Sequence, residues 1–332
     1  MSPAITASTG AEHGRILSVA ANRPTRVVMN DELVDAIDSS DTWIRDRSGI
    51  ISRRFAAPGE TVVDLAVPAA LQAITRAGLV TADIDTILVA TITHSLQTPS
   101  AAAMIAHRIG ADRAVTMDVS TACAGFTYAV SLANDMIRGG SARNVLVIGA
   151  ETMSNIIDPT DRGTAFIFGD GAGAAVIGPS RTAAIGPTVW GSDTTQWEAI
   201  RSDHSWSEYR DGASWPVLRM AGPKVFRWAI WEMSPVAQKA IDAAGIEIGD
   251  LSAFIPHQAN MRIIDQMAKQ LRLPEHVVIA RDIAEAGNTS AASIPMAMAR
   301  LLDEGQVAAG GLALLIGFGA GLSYAAQVVE LP

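Results

Sequence analysis

Three residues of this chain have side chains suited to chemistry, and they stand far apart: Cys123, His257 and Asn288. Cys123 is the single cysteine among 332 residues, which excludes an intramolecular disulfide and any zinc site that needs two thiolates. It is either an inert buried thiol or a lone nucleophile. Small residues flank it in Ser120-Thr121-Ala122-Cys123-Ala124-Gly125, so a ligand could approach closely. A helix starting at Cys123 would aim unpaired N–H groups and its dipole at the sulfur and lower the thiol pKa. A thiolate attacks acyl carbons and leaves them again, which suits acyl transfer. His257 follows an apolar run in Phe254-Ile255-Pro256-His257-Gln258-Ala259-Asn260 and reads as a structural imidazole or a site residue. Asn288, in Gly287-Asn288-Thr289-Ser290, either caps the helix that follows or joins the same site. The other histidines, His13, His94, His107, His204 and His276, lack ligand spacing, so a metal site is unsupported.

Residues so far apart need a fold to bring them together. Short apolar runs at 15–20, 86–92, 114–119, 145–150 and 172–177 predict buried strands, and 61–77 and 124–138 predict helices. This alternation indicates an α/β protein. Residues 307–329 carry no charge, but Gly310, Gly311, Gly317, Gly319 and Gly321 interrupt them. Two short strands around a glycine turn fit better than a membrane span. The chain also repeats itself. Ala77-Gly78-Leu79 and its following strand match Ala244-Gly245-Ile246 at an offset of 167. Residues 119–140 match 284–305 at 165, and 145–149 match 313–317 at 168. Two copies of one unit result, 15–180 and 181–332, behind a loose tail at 1–14 that lacks the pattern of a secretory signal. In this alignment Cys123 and Asn288 occupy equivalent helix starts facing each other across a pseudo-twofold axis. His257 follows a second-copy strand, so the three would converge where α/β folds build sites.

The formal charge of −9, with no long basic stripe, argues against nucleic acid as a partner. With 49% apolar and 18% charged residues, the chain reads as a globular, cytoplasmic protein rather than a disordered or membrane one. Gly169-Asp170-Gly171-Ala172-Gly173 has no Lys-Ser/Thr after it and is no phosphate loop. Gly317-Phe318-Gly319-Ala320-Gly321 reads instead as a turn whose backbone N–H could face a reaction centre.

The strings DVSTACAGF, DRGTAFIFGDGAGAA, FIPHQAN, GNTSAASIP and GFGAGLSYAAQVV resemble those of β-ketoacyl-acyl carrier protein synthase III, from about Arg15 to Val329. The resemblance implies a thiolase-like five-layered αβαβα fold built from two duplicated halves, and a homodimer. It implies that Cys123 takes an acyl group from acyl-CoA. His257 and Asn288 would then support loss of carbon dioxide from malonyl-acyl carrier protein, and the enolate would attack the acyl-enzyme. Backbone N–H groups of Cys123 and Ala320 would hold the oxyanion. No metal or redox cofactor is implied. Trp43, Arg47 and Arg162 match the coenzyme A contacts. Pro223 stands where the family often has Asn, and offers pantetheine neither a backbone donor nor an amide. The acyl pocket is expected at Thr98, Phe168 and Phe318. Acetyl-primed members often carry a bulky Phe at the Thr98 position, so Thr98 implies room for longer primers. Arg262, Lys269 and Arg272, on one helical face, and Lys224 with Arg227 are the expected docking patch for the acidic carrier protein. Two other classes stand beside condensation: a relative that transfers the acyl group without condensing, in a specialised polyketide-type pathway, and a non-catalytic scaffold on the same fold.

Overall fold

The computed structural model describes residues 5–332. Met1 to Ala4, the start of the expected tail, lie outside the described residues. Of the expected tail, residues 5–12 carry no helix or strand, though the Ala11 N–H donates to Ile137 O at 3.1 Å; His13 and Gly14, assigned to the tail, already belong to the first strand.

Two five-stranded sheets hold the molecule. The first uses β1 (His13–Asn22), β2 (Thr86–Ala90), β3 (Val115–Val119), β4 (Val145–Glu151) and β5 (Gly171–Ser180), in the order β1-β5-β4-β2-β3. The second uses β6 (Val189–Ser192), β7 (Leu251–Pro256), β8 (Val278–Ile279), β9 (Leu312–Gly319) and β10 (Ser323–Glu330), in the order β6-β10-β9-β7-β8. The orders are the same with every label raised by five. In both, the central strands run parallel to two neighbours' common direction on one side (β2 with β3 and β4, β7 with β8 and β9) and the rest pair antiparallel. The expected strands are all present, with ends shifted by a few residues.

Six helices complete the duplication: α1 (Val62–Arg76), α2 (Ala101–Ile109) and α3 (Gly125–Gly139), then α4 (Gly222–Ala244), α5 (Met261–Leu271) and α6 (Ser293–Asp303). Local signals set their ends. Thr61 and Asp64 form a capping box on α1, Ser100 caps α2, and Gly140 in the left-handed region (φ 76°) stops α3. Helices α1 and α2 cover the outer face of the first sheet, and α4 and α5 that of the second. Helices α3 and α6 lie between the sheets, where Phe126, Val130, Ile294 and Met298 pack against Val147 and Leu315. Full burial of a side chain such as Phe126 contributes roughly 1.5–3 kcal/mol. The layers are therefore α, β, α, β, α.

The turns before α3 and α6 correct the sequence alignment. Each is a short 3-10 turn, Ala122–Ala124 and Ser290–Ala292, opening on a non-glycine residue with positive φ, 46° at Ala122 and 49° at Ser290. The offset is 168, not 165. Cys123 is equivalent to Ala291, and Asn288 to Ser120. The turns dock reciprocally: a Cβ added at Gly149 of β4 would lie 2.2 Å from Ala291 O, and one at Gly317 of β9 would lie 3.1 Å from Cys123 O. Each half's central strand thus receives the other half's turn, as a pseudo-twofold axis requires. Cys123 and Asn288 still meet, but as neighbours on that axis rather than as equivalents. Among the described residues no helix is long and apolar enough to cross a membrane.

Candidate active site

A cavity of about 480 Å³ opens beside these turns, and Cys123, His257, Asn288, Phe318, Gly319 and Ala320 all line it. Cys123 lies in the 3-10 turn, two residues ahead of α3, so the helix does not start at the sulfur. It keeps part of its surface on the cavity. Its thiol is not activated at rest as the sequence suggested. Burial pushes it up to about 12, the Ser290 hydroxyl partly opposes this, and Glu151 adds to it. Loss of water around the sulfur is the largest of these contributions.

His257 follows the end of β7 and is 2% exposed. Its Nδ1 lies 2.7 Å from Ser293 Oγ, and that oxygen accepts from the Gln258 N–H at 3.3 Å. Assigning the Ser293 hydroxyl as donor to Nδ1 places the ring proton on Nε2, towards the cavity. Burial holds the imidazole neutral, with its pKa down to about 3. Phe318 meets the ring edge-on at 5.4 Å between centroids. Asn288 Oδ1 accepts from the Ser290 N–H at 2.9 Å. That bond fixes which end of the amide is the donor. Neither His257 Nε2 nor Asn288 Nδ2 has a protein partner among the described residues, and both residues border the cavity. Two neutral donors thus remain for an oxygen that gains negative charge. Gly319 brings the β9–β10 turn against the cysteine, since an added Cβ there would lie 3.0 Å from Cys123 Sγ. This places Ala320 beside the nucleophile.

The cavity mouth carries the expected coenzyme A residues. The Arg162 guanidinium lies 4.9 Å from the Trp43 ring centroid and that of Arg47 5.8 Å. Trp43 stacks edge-on against Phe166 at 5.2 Å. Arg219 braces the turn before Arg162 through ion pairs to Asp158 and Asp161 at 3.2 and 3.4 Å. Pro223 lines the mouth in the first turn of α4, where a missing N–H costs the helix nothing. Lys224, Arg227, Arg262, Lys269 and Arg272 are all exposed on α4 and α5 and at the end of α5. None forms an ion pair among the described residues. Arg227 and Arg262 reach the cavity rim, Arg262 over the Phe226 ring at 5.0 Å.

Phe168 and Phe318 line the cavity, 3% and 2% exposed. Thr98 does not. It stands on the exposed loop between β2 and α2, outside the cavity of this chain, so the primer-length argument built on it does not apply to that cavity. Four positioning residues went unnoticed in the sequence. Ser293 orients His257, and Ser290 touches Cys123. Glu151 lies behind Ser290. Arg53 is fully buried and donates to Phe166 O at 2.8 Å and Asn30 Oδ1 at 2.7 Å, which holds the Phe166 wall. The signal for the two charged ones was a charge inside or at the end of a buried strand.

Comparison with known proteins agrees with this geometry. Residues 117–194 match the family model for 3-oxoacyl-[acyl-carrier-protein (ACP)] synthase III, and 241–331 match its C-terminal counterpart. The β-ketoacyl-[acyl-carrier-protein] synthase III of Streptomyces glaucescens is 52% identical over 330 residues, 99% of both chains. The chain belongs to the β-ketoacyl-acyl carrier protein synthase III family. Among solved structures, the priming β-ketosynthase from the R1128 polyketide biosynthetic pathway superposes with a TM-score of 0.97 at 46% identity, over 99% of both chains. The 3-oxoacyl-[acyl-carrier-protein] synthase III of Aquifex aeolicus VF5 gives 0.88 at 36% identity, over 96% of this chain and 99% of that one. The thiolase-like five-layered fold of the family is the fold described above, and the chain is an enzyme of this type.

Proposed function

We propose that the protein performs the initiating decarboxylative Claisen condensation of fatty acid synthesis, joining an acyl-CoA primer to malonyl-acyl carrier protein. The observation that carries this reading is the meeting of one thiol and two neutral, unpartnered donors on a single cavity. Cys123 attacks the primer thioester, the N–H groups of Cys123 and Ala320 stabilise the oxyanion, and coenzyme A leaves. Malonyl-carrier protein then enters. His257 and Asn288 donate to its thioester oxygen as carbon dioxide departs, and the enolate carbon attacks the acyl group on Cys123. Departure of carbon dioxide supplies the driving force, so the reaction calls for no metal or redox cofactor. Transfer without condensation would leave His257 and Asn288 without a task. Incubating the protein with a panel of acyl-CoAs and weighing it, then adding malonyl-carrier protein and measuring carbon dioxide, tests the reading. A Cys123 adduct followed by stoichiometric gas release is the expected result. An adduct with no gas release means transfer alone, and neither means a scaffold.

The five exposed cations on α4 and α5 and at the end of α5 form the proposed carrier-protein surface. Lys269→Glu with Arg272→Glu, both away from the cavity lining, should raise the KM for malonyl-carrier protein about tenfold and spare acylation by acyl-CoA. The wild-type KM should rise with salt, and the variant's should rise less steeply. An unchanged KM rejects the surface. A homodimer is part of the same reading. Strand β3 is a sheet edge with Val115 and Met117 51% and 40% exposed, an unpaired apolar border suited to a second copy. Water-soluble thioester substrates support a cytoplasmic place of action.

A further inference from the structure

Glu151 ends the buried strand β4 with no exposed surface, and the condensation chemistry leaves it without a role. Its Oε2 accepts from the Thr93 hydroxyl at 2.5 Å, the Ile92 N–H at 3.1 Å and the Thr91 hydroxyl at 3.2 Å. These come from the segment after β2 and hold the carboxylate still. Its Oε1 accepts from the Ser290 hydroxyl at 3.0 Å, and Ser290 Oγ in turn accepts from Cys123 Sγ at 3.5 Å. The donors all point one way, from sulfur to hydroxyl to carboxylate. The chain crosses between the halves, since Ser290 belongs to the second and the other two to the first. The positive φ of Ser290 is a backbone strain that sets its hydroxyl between them.

We propose that Glu151, acting through the Ser290 hydroxyl, takes the proton of Cys123 when the thiol attacks an acyl-CoA. The Cys123 S–H bond breaks as a new Ser290 O–H forms, and the old Ser290 proton passes to Glu151 Oε1. The sulfur bonds the acyl carbon, and the carbon–sulfur bond to coenzyme A breaks. The departing sulfur leaves as the thiol once Glu151 returns that proton by the same route or through solvent. One S–H is exchanged for another. The inference rests on Cys123 being acylated.

Electrostatics agree with the geometry. Burial pushes Glu151 up to about 7, so near neutrality it is a base with an accessible proton-bound state. His257 is the other buried titratable group at the cavity, and it is a poor base because burial holds it near 3 and its Nδ1 is engaged by Ser293. The groups that hydrogen-bond Glu151 among the described residues are the Thr91, Thr93 and Ser290 hydroxyls and the Ile92 amide, none charged. Glu151 and Cys123 repel when both are ionised, so once Glu151 has lost its proton above about pH 7 the pair holds one proton, on the sulfur at rest.

Alkylation of Cys123 by iodoacetamide, followed by mass between pH 5 and 10, tests this without any variant. The wild-type rate should rise with a midpoint near 7, as Glu151 loses its proton, far below the range of the buried thiol. A rate that rises only above pH 9 overturns the relay. In Glu151→Gln the midpoint near 7 should vanish, and acylation by acyl-CoA should slow about 10²-fold. Ser290→Ala should slow it as much, and the double variant no further, because both break one path. Additive losses, or a Glu151→Gln profile matching wild type, reject the proposal. Far-UV circular dichroism and a cooperative thermal melt, expected to match wild type in these variants, check that the fold is intact. A wild-type protein that forms no acyl adduct refutes the functional reading itself. A wild-type adduct with an unaltered Glu151→Gln rate refutes only the relay.

Discussion

Cys123→Ala should form no acyl adduct and make no condensation product, yet still release carbon dioxide from malonyl-carrier protein. Removing an enzyme's covalent nucleophile costs on the order of 10⁴-fold or more. No second thiol can substitute, since the chain has one cysteine. The substitution keeps the Cβ that faces Gly319 and removes only the sulfur and its bond to Ser290. The fold should therefore survive, and the donors on His257 and Asn288 stay in place. The two half-reactions come apart: the first needs the sulfur, the second only the donors. Mass measurement of the protein after acyl-CoA treatment checks the first half, and gas release checks the second. A persistent adduct in Cys123→Ala would place the nucleophile elsewhere. Loss of gas release in a folded Cys123→Ala protein would tie decarboxylation to the thiol and remove the division of labour.

The sequence and the structure agree where chemistry leaves a local trace. Cys123, His257 and Asn288 were legible because each sits beside small residues or after a buried strand, and because long motifs carried the family resemblance. The duplication was legible as well, but its register at the central turns was not. Ala, Ser and Gly alternate so freely there that a three-residue slip keeps the same pattern. Only backbone angles at Ala122 and Ser290 fix the equivalence. The state of the thiol was misjudged because a helix end is visible in sequence while burial is not. Glu151 was overlooked for a related reason. Its partners come from 60 residues before it in the chain and 139 after it, and no spacing announces that meeting. Thr98 is a different case: a motif position named it, but it stands on an exposed loop and does not line the cavity of its own chain.

Asn288→Asp should abolish most decarboxylation while leaving acylation near wild type. The carboxylate can still accept from the Ser290 N–H at 2.9 Å, so the side chain stays in place, but it offers the enolate oxygen a negative charge instead of a donor. Loss of one such donor costs about 10²–10³-fold. His257→Ala should cost a similar factor, for the same reason at Nε2. The pH dependence separates this donor role from acid–base catalysis. With its pKa held near 3, His257 stays neutral as pH falls through 6.5, where an exposed histidine would gain a proton. Carbon dioxide release by Cys123→Ala should therefore be level between pH 5 and 8, with no inflection traceable to His257. An inflection near 6.5 that disappears in Cys123→Ala/His257→Ala would mean that the imidazole titrates during turnover, and the neutral-donor account would fail. A level profile with wild-type gas release in Asn288→Asp would fail it differently, by leaving Asn288 without a role in the transition state. The account requires both results: a flat profile, and a strong dependence on the amide donor that the Ser290 N–H holds in place.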